Sequence, residues 1–246
     1  MKASIPLHWF VAVHFLMVPL VKANTQDLVV QKDGQRREGE ILGVKANAVR
    51  IKIGPAETAV PIANIALVSK AEPSEFQAAN ELWQTGNAAG ALAKLEPLVQ
   101  TFSGLPTPWA ERSCSLLPEL YLAQGRAGDA ESAFQNFQKL YPSSTSSSDI
   151  LLARLAISKK DLVTARAKLA PILAAVKETK LPAGPNAPTM SQALCLMGEI
   201  QESAGEKSEA LEDYLLVATI FKNDPTSLAK SLARADALEK EKVVVP

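Results

Sequence analysis

Nine residues recur in this chain with few changes. Ala91-Leu92-Ala93-Lys94-Leu95-Glu96-Pro97-Leu98-Val99 returns 74 residues later as Ala165-Arg166-Ala167-Lys168-Leu169-Ala170-Pro171-Ile172-Leu173. Five positions are identical and two exchange one aliphatic residue for another. Gly125-x4-Ala130-x3-Phe134 is echoed by Gly205-x4-Ala210-x3-Tyr214, and Gly86, Ala91 and Leu95 keep the same frame. Self-similarity at this scale marks stacked supersecondary units, each of which buries apolar surface only against its neighbours. Such arrays more often bind a partner than transform a substrate.

Residues 1–23 stand apart from that pattern. Lys2 opens a short basic region, residues 5–21 carry no charge, and Val21-Lys22-Ala23 offers a cleavage site. The segment reads as a signal peptide cut after Ala23. An uncleaved anchor is the alternative, since 17 residues approach the lower limit for spanning a bilayer. No cysteine lies near the site to carry a lipid, and no later segment reads as a membrane span. The expected location is therefore exported, in the periplasm or cell envelope.

Cleavage would change the chemistry open to the chain. Both histidines, His8 and His14, lie inside the leader. Without them a histidine general base, a Ser-His-Asp triad and imidazole metal ligation are excluded. Loss of Lys2 and Lys22 leaves 24 basic residues against 26 acidic ones, so no field favours nucleic acid or anionic lipid. The two cysteines of an exported chain invite a disulfide. The repeat phase puts Cys114 and Cys195 on the first helices of units two apart. Helices packed about 8–10 Å apart cannot bring these within the roughly 7 Å that a bridge requires. Both thiols read as small buried apolar groups.

A β module comes first. Over residues 27–68 the hydrophobic period is two. Leu28 and Val30 alternate with Val29 and Gln31, and Asp33-Gly34 supplies a tight turn. Strands are expected at 38–44, at Val49-Arg50-Ile51-Lys52-Ile53, and at 58–61 and 65–68, with turns at Lys45-Ala46-Asn47 and Gly54-Pro55. Five short strands in so few residues suggest a small twisted barrel spanning 24–70. Asp27-Leu28-Val29-Val30-x-Lys32-Asp33-Gly34, Glu38-Gly39-Glu40-Ile41 and Val60-Pro61-Ile62-x-x-Ile65 resemble the SH3-like or Sm-like small barrels of bacterial envelope proteins. Export argues against the RNA binding of cytosolic Sm-like proteins, and Arg36, Arg37, Arg50 and Lys52 read as a solvated face. Residues 24–70 hold no aromatic residue with which to grip a proline-rich peptide.

From Pro73 onward the pattern is helical. Residues 111–144 make a 34-residue unit, with Leu117 and Tyr121 in a first helix, Gly125 at the turn, and Ala130, Phe134 and Phe137 in a second. Glycine permits the tight turn, alanine lets helices approach, and aromatics fill the gap between them. In spacing and residue type this resembles the tetratricopeptide (TPR) repeat. The same register gives units near 72–105, 146–179 and 191–224, the third with Lys160 in place of the turn glycine. Four TPR-like repeats thus cover 72–224. Extra residues fall at 102–108 and 177–189, the latter expected to be a non-helical loop because of Pro182, Gly184, Pro185 and Pro188. Thr107-Pro108 and Asp224-Pro225 pair a cap with a proline in the first turn, and a serine run ends in Asp149 as a further cap. Pro97 and Pro171 are expected to bend their helices. Residues 225–242 read as a terminal capping helix, apolar along Leu228, Leu232, Ala235 and Leu238. The fold class is thus mainly α, a TPR-like helical-hairpin solenoid preceded by a five-stranded barrel.

The TPR resemblance implies a concave groove lined by the first helix of each pair. Its positions fall on Phe76, Asn80 and Trp83, on Arg112, Glu119 and Leu122, on Ile150, Arg154 and Ile157, and on Gln192, Glu199 and Glu202. A groove mixing apolar residues with both charge signs suits a peptide or a partner helix. Against this, Trp83 could pack on the β module, and Arg154 could pair with a neighbouring acid. The basic clamp of chaperone-binding TPR domains is not matched, because Phe76 stands where those have a lysine. No phosphate-binding loop, nucleophile elbow, C-x-x-C or metal-ligand set is present, so neither a metal nor another cofactor is expected. Glu209, Glu212 and Asp213, like Glu239 and Glu241, read as solvated charge, although a carboxylate-only hydrolase needs just two acids. The expected activity is a non-enzymatic envelope adaptor for a protein or peptide. A cell-wall carbohydrate module touching polymer through the barrel is the alternative, and self-association through an array edge stays open.

Overall fold

A computed structural model describes residues 26–144, 148–179, 184 and 186–245. The expected signal peptide and the centre of the proline-rich insert lie outside these. Five strands come first: β1 (Asp27–Gln31), β2 (Arg36–Lys45), β3 (Ala48–Ile53), β4 (Ala56–Pro61) and β5 (Ile65–Ser69). Ala46 and Asn47, both at positive φ, make the two-residue turn between β2 and β3, matching the twist of the flanking strands.

The strands form one antiparallel sheet in the order β4-β3-β2-β1-β5. The expected barrel is not closed, because β4 pairs only with β3 and β5 only with β1. The reason lies in what covers the inner face. Val29, Ile41, Val49, Ile51, Val60, Ile65 and Val68 share one continuous core with Phe76, Leu95, Leu105 and Trp109 from the helical part. Helices, rather than the far edge of the same sheet, exclude water from those side chains.

Nine helices follow among the described residues: α1 (Ser74–Gln84), α2 (Ala88–Phe102), α3 (Pro108–Ala123), α4 (Ala127–Leu140), α5 (Ser148–Ser158), α6 (Leu162–Glu178), α7 (Ala187–Ser203), α8 (Lys207–Thr219) and α9 (Pro225–Lys240). The first eight form four hairpins whose elbows close alike. Gly86, Gly125, Lys160 and Gly205 take φ of 81°, 70°, 61° and 83°. The next N–H reaches back five residues to a carbonyl: Asn87 to Leu82 at 2.8 Å, and Arg126 to Tyr121, Asp161 to Ala156 and Glu206 to Gln201 each at 2.9 Å. This is the Schellman closure of a helix C-terminus. The residue that donates that bond also N-caps the following helix, and the Asn87 and Asp161 side chains accept from Gly90 and Thr164 N–H groups. Five residues past each left-handed position comes a fully buried alanine, Ala91, Ala130, Ala165 or Ala210. The repeated nonapeptide therefore occupies one place in two hairpins, on α2 and α6, with Leu95 and Leu169 fully buried. Each helix runs on past its proline, Pro97 or Pro171.

Every described helix from α1 to α9 packs on its neighbours in sequence, and α1, α3, α5 and α7 each also meet the next odd helix. None is long and apolar enough to cross a membrane. Several local expectations are corrected. The Thr107 side chain does not cap α3; its hydroxyl is buried without a partner. Asp149 lies inside the first turn of α5. Pro188 opens α7, as a first turn needs no N–H from it. The buried stripe of α9 is Ser227, Ser231, Ala235 and Leu238, and Leu232 is 52% exposed. Small residues at 227 and 231 let α9 sit close against α7 and α8.

Two substitutions test this packing. A methyl group at Gly198 would lie 2.6 Å from the Tyr214 ring, which is itself fully buried. Gly198→Ala is expected to cost about 1–3 kcal/mol, read as a lowered midpoint in thermal or urea unfolding. Lys160→Gly removes a left-handed lysine that costs about 1–2 kcal/mol, offset in part by a looser unfolded chain. The same assay should show stability unchanged or raised by up to about 1 kcal/mol, whereas glycine placed in an ordinary helical position would lower it.

Candidate binding groove

The odd-numbered helices place their side chains on one shared surface. Glu119 and Leu122 on α3, and Arg154 and Ile157 on α5, are spaced i, i+3, so each pair points the same way from its helix. On α7, Gln192, Cys195, Leu196 and Glu199 follow i, i+3, i+4, i+7 along one face. With Trp83 of α1 and Thr226 and Lys230 of α9, these residues line a cavity of about 270 Å³. Trp83 is half-buried and packs one side on the first core, so its ring is held in place.

Charge across the cavity is balanced by pairs inside it. Arg154 Nη1 donates to Glu119 Oε2 at 3.0 Å, and Lys230 Nζ lies 2.6 Å from Glu199 Oε1. Gln192 Nε2 donates to Asp224 Oδ1 at 3.0 Å, while the other Asp224 oxygen caps α9 through the Ser227 N–H. Arg154 keeps one donor unused, since its Nε is buried without a partner. Two acids thus face two bases over an apolar floor of Leu122, Ile157 and Leu196. Such a site discriminates by shape and by a few hydrogen bonds more than by net charge.

Of the twelve residues expected in the groove, Trp83, Glu119, Leu122, Arg154, Ile157, Gln192 and Glu199 line this cavity. The other five lie elsewhere. Phe76 and Ile150 are buried in apolar cores. Asn80 turns its amide to the Phe76 carbonyl, 3.0 Å away. Arg112 pairs with Glu72 and stacks over the Phe76 ring. Glu202 is held by Arg234 and by the Tyr214 hydroxyl at 3.2 Å. Leu196 and Cys195 escaped the sequence reading although helical spacing from Gln192 points to them. Thr226 and Lys230 escaped it because the last helix was assigned only a capping role.

Neither thiol offers a nucleophile. Burial pushes the Cys114 thiol up to about 11, which the nearby Tyr141 hydroxyl and Gly104 N–H only partly offset. Burial likewise raises the Cys195 thiol. Both cysteines are free and buried. Native protein at pH 8 should leave both unlabelled by iodoacetamide over an hour, and unfolded protein should label twice, as mass spectrometry would count. Among the described residues no cluster of three potential metal ligands occurs. Comparison with family models, with curated proteins and with solved structures finds no match to this chain.

Proposed function

We propose that this protein is a non-enzymatic adaptor, a TPR-like solenoid of helical hairpins that grips an extended peptide or a helix of a partner protein. Its place of work, on this reading, is the cell envelope, after export directed by residues 1–23. The observation that carries the reading is the convergence of α1, α3, α5, α7 and α9 on one mixed cavity with a fixed Trp83 at its rim. An internally neutral site over an apolar floor suits a peptide of low charge with one large apolar anchor. A backbone carbonyl of that peptide would meet the unused Arg154 Nε. The open depression on the sheet, about 510 Å³ and lined by Asp27, Glu38, Glu40 and Lys52, has no aromatic ring on which a sugar could stack. That favours the groove over the cell-wall reading.

The reading is tested with purified protein lacking residues 1–23, probed on a peptide array and followed by titration of the hits. Trp83→Ala should weaken binding about tenfold or more, as loss of an aromatic anchor does. Val163→Ser, on the exposed side of α6 at 81% exposure, should leave affinity unchanged. Hits indifferent to Trp83, or retention by peptidoglycan that depends on residues 24–70, would replace the adaptor with another function.

A further inference from the structure

Away from the groove, α6 and α8 do not close on one another over α7. The crevice left between them has a volume of about 490 Å³. Its walls are apolar: Leu173 and Val176 on α6, Leu194 and Met197 on α7, Leu216 on α8. Its polar groups are mostly acceptors. Glu209, Glu212 and Asp213 come from α8, and Gln201 from α7 has its side-chain oxygen buried without a hydrogen-bond partner. On α6, Arg166 is committed to Glu206 at 2.6 Å. Among the described residues Lys177 is the other cation lining the crevice, and it attracts the Asp213 carboxylate from a distance rather than in a close ion pair. The neighbouring crevice, between α4 and α6, differs: of its two acids, Glu131 is paired with Lys159 at 2.8 Å and Asp161 caps α6 through the Thr164 N–H.

We propose that the α6–α7–α8 crevice is a second binding site, separate from the groove, for an aliphatic cation such as the lysine side chain of a partner chain. The methylene stem would lie along Leu173, Val176, Met197 and Leu216. The ammonium would donate to the orphaned Gln201 oxygen and to the Asp213 carboxylate, with Glu209 and Glu212 adding long-range attraction and Lys177 opposing it. Among the described lining residues, three carboxyls against one uncommitted cation leave the balance with the ligand. Asp213 is not the solvated charge expected from its sequence position. Burial pushes its carboxyl up to about 7; the Gln201 amide and Lys177 act against that shift, and Glu212 adds to it. Binding therefore strengthens as pH rises through that range and the carboxylate forms, and the bound cation in turn favours ionisation.

The test uses hexylammonium, hexanol and hexanoate as probes of the leaderless protein, followed by the ¹³C-methyl resonance of Met197. Hexylammonium should saturate at millimolar concentration at pH 8, at least fivefold tighter than hexanol and with hexanoate weaker still. Its affinity should fall at least fivefold at pH 5.5. Asp213→Asn should remove the pH dependence and most of the preference over hexanol, while Trp83→Ala leaves both in place. If Asp213→Asn fails to fold, the comparison of the three probes and the pH profile of the unmodified protein decide alone. Equal binding of hexanol, a flat pH profile or no saturation overturns the proposal without touching the groove.

Discussion

Everything beyond the sheet depends on a left-handed residue followed five positions later by a methyl side chain. The left-handed residue lets the next N–H turn back on the finished helix, which satisfies a carbonyl that the helix end leaves unpaired. The residue that donates this bond also caps the following helix, so two helix ends are satisfied by one turn. Alanine then permits close approach of the two helices, and anything larger would wedge them apart. Three elbows meet the backbone demand with glycine. The fourth meets it with Lys160, at φ 61° and with the same 2.9 Å bond from Asp161 to Ala156. Tertiary packing there outweighs a local preference of about 1–2 kcal/mol.

The sheet joins the helices through contacts of a different kind. Gly43 sits at a register shift of β2, where an added methyl would meet the Thr101 carbonyl of α2 at 2.5 Å. The sheet can lie that close only because position 43 has no side chain. At the other side Trp109 donates to the Lys70 carbonyl at 3.2 Å and packs edge-on against Phe102, with centroids 5.3 Å apart. Asp27 ties Lys70 and the Ile41 N–H together, each at 2.8 Å. Sheet and first hairpins therefore share one core, which is why a strand segment without aromatic residues can be stable.

The parts legible in the sequence are those set by backbone chemistry. Gly86, Gly125 and Gly205 announce elbows because few residues tolerate their φ, and the buried alanines follow at fixed distance. Strand positions were legible from a period of two around Val29, Val49 and Ile51. What escaped depends on which neighbour arrives. Ser231 and Leu232 are adjacent on α9, and hydrophobicity favours turning Leu232 inward. The close approach of α7 and α8 selects Ser231 instead. An open sheet and a closed barrel share the same alternation, so only the helices covering Val60 and Val68 distinguish them. Asp213 was misread for a related reason, since a polar helix face becomes half-buried once α6 leans over it.

Hairpins packed this way have two unlike sides, and the difference explains where the cavities lie. Odd helices meet the next odd helix directly, so their outer surface is crowded and its charges, such as Arg154 with Glu119, are close enough to pair across helices. Even helices are linked mainly through the odd helix between them, so crevices remain at α4–α6 and α6–α8. The crowded side holds a cavity whose charges, Arg154 with Glu119 and Lys230 with Glu199, are paired within it beside Trp83. In the crevices, long cross-helix pairs form only where a basic residue happens to reach, as Lys159 does toward Glu131. Where none reaches, as at Asp213, burial raises the carboxyl against the weaker pull of the Gln201 amide and Lys177. Helix spacing thus gives the molecule a crowded side and a creviced one.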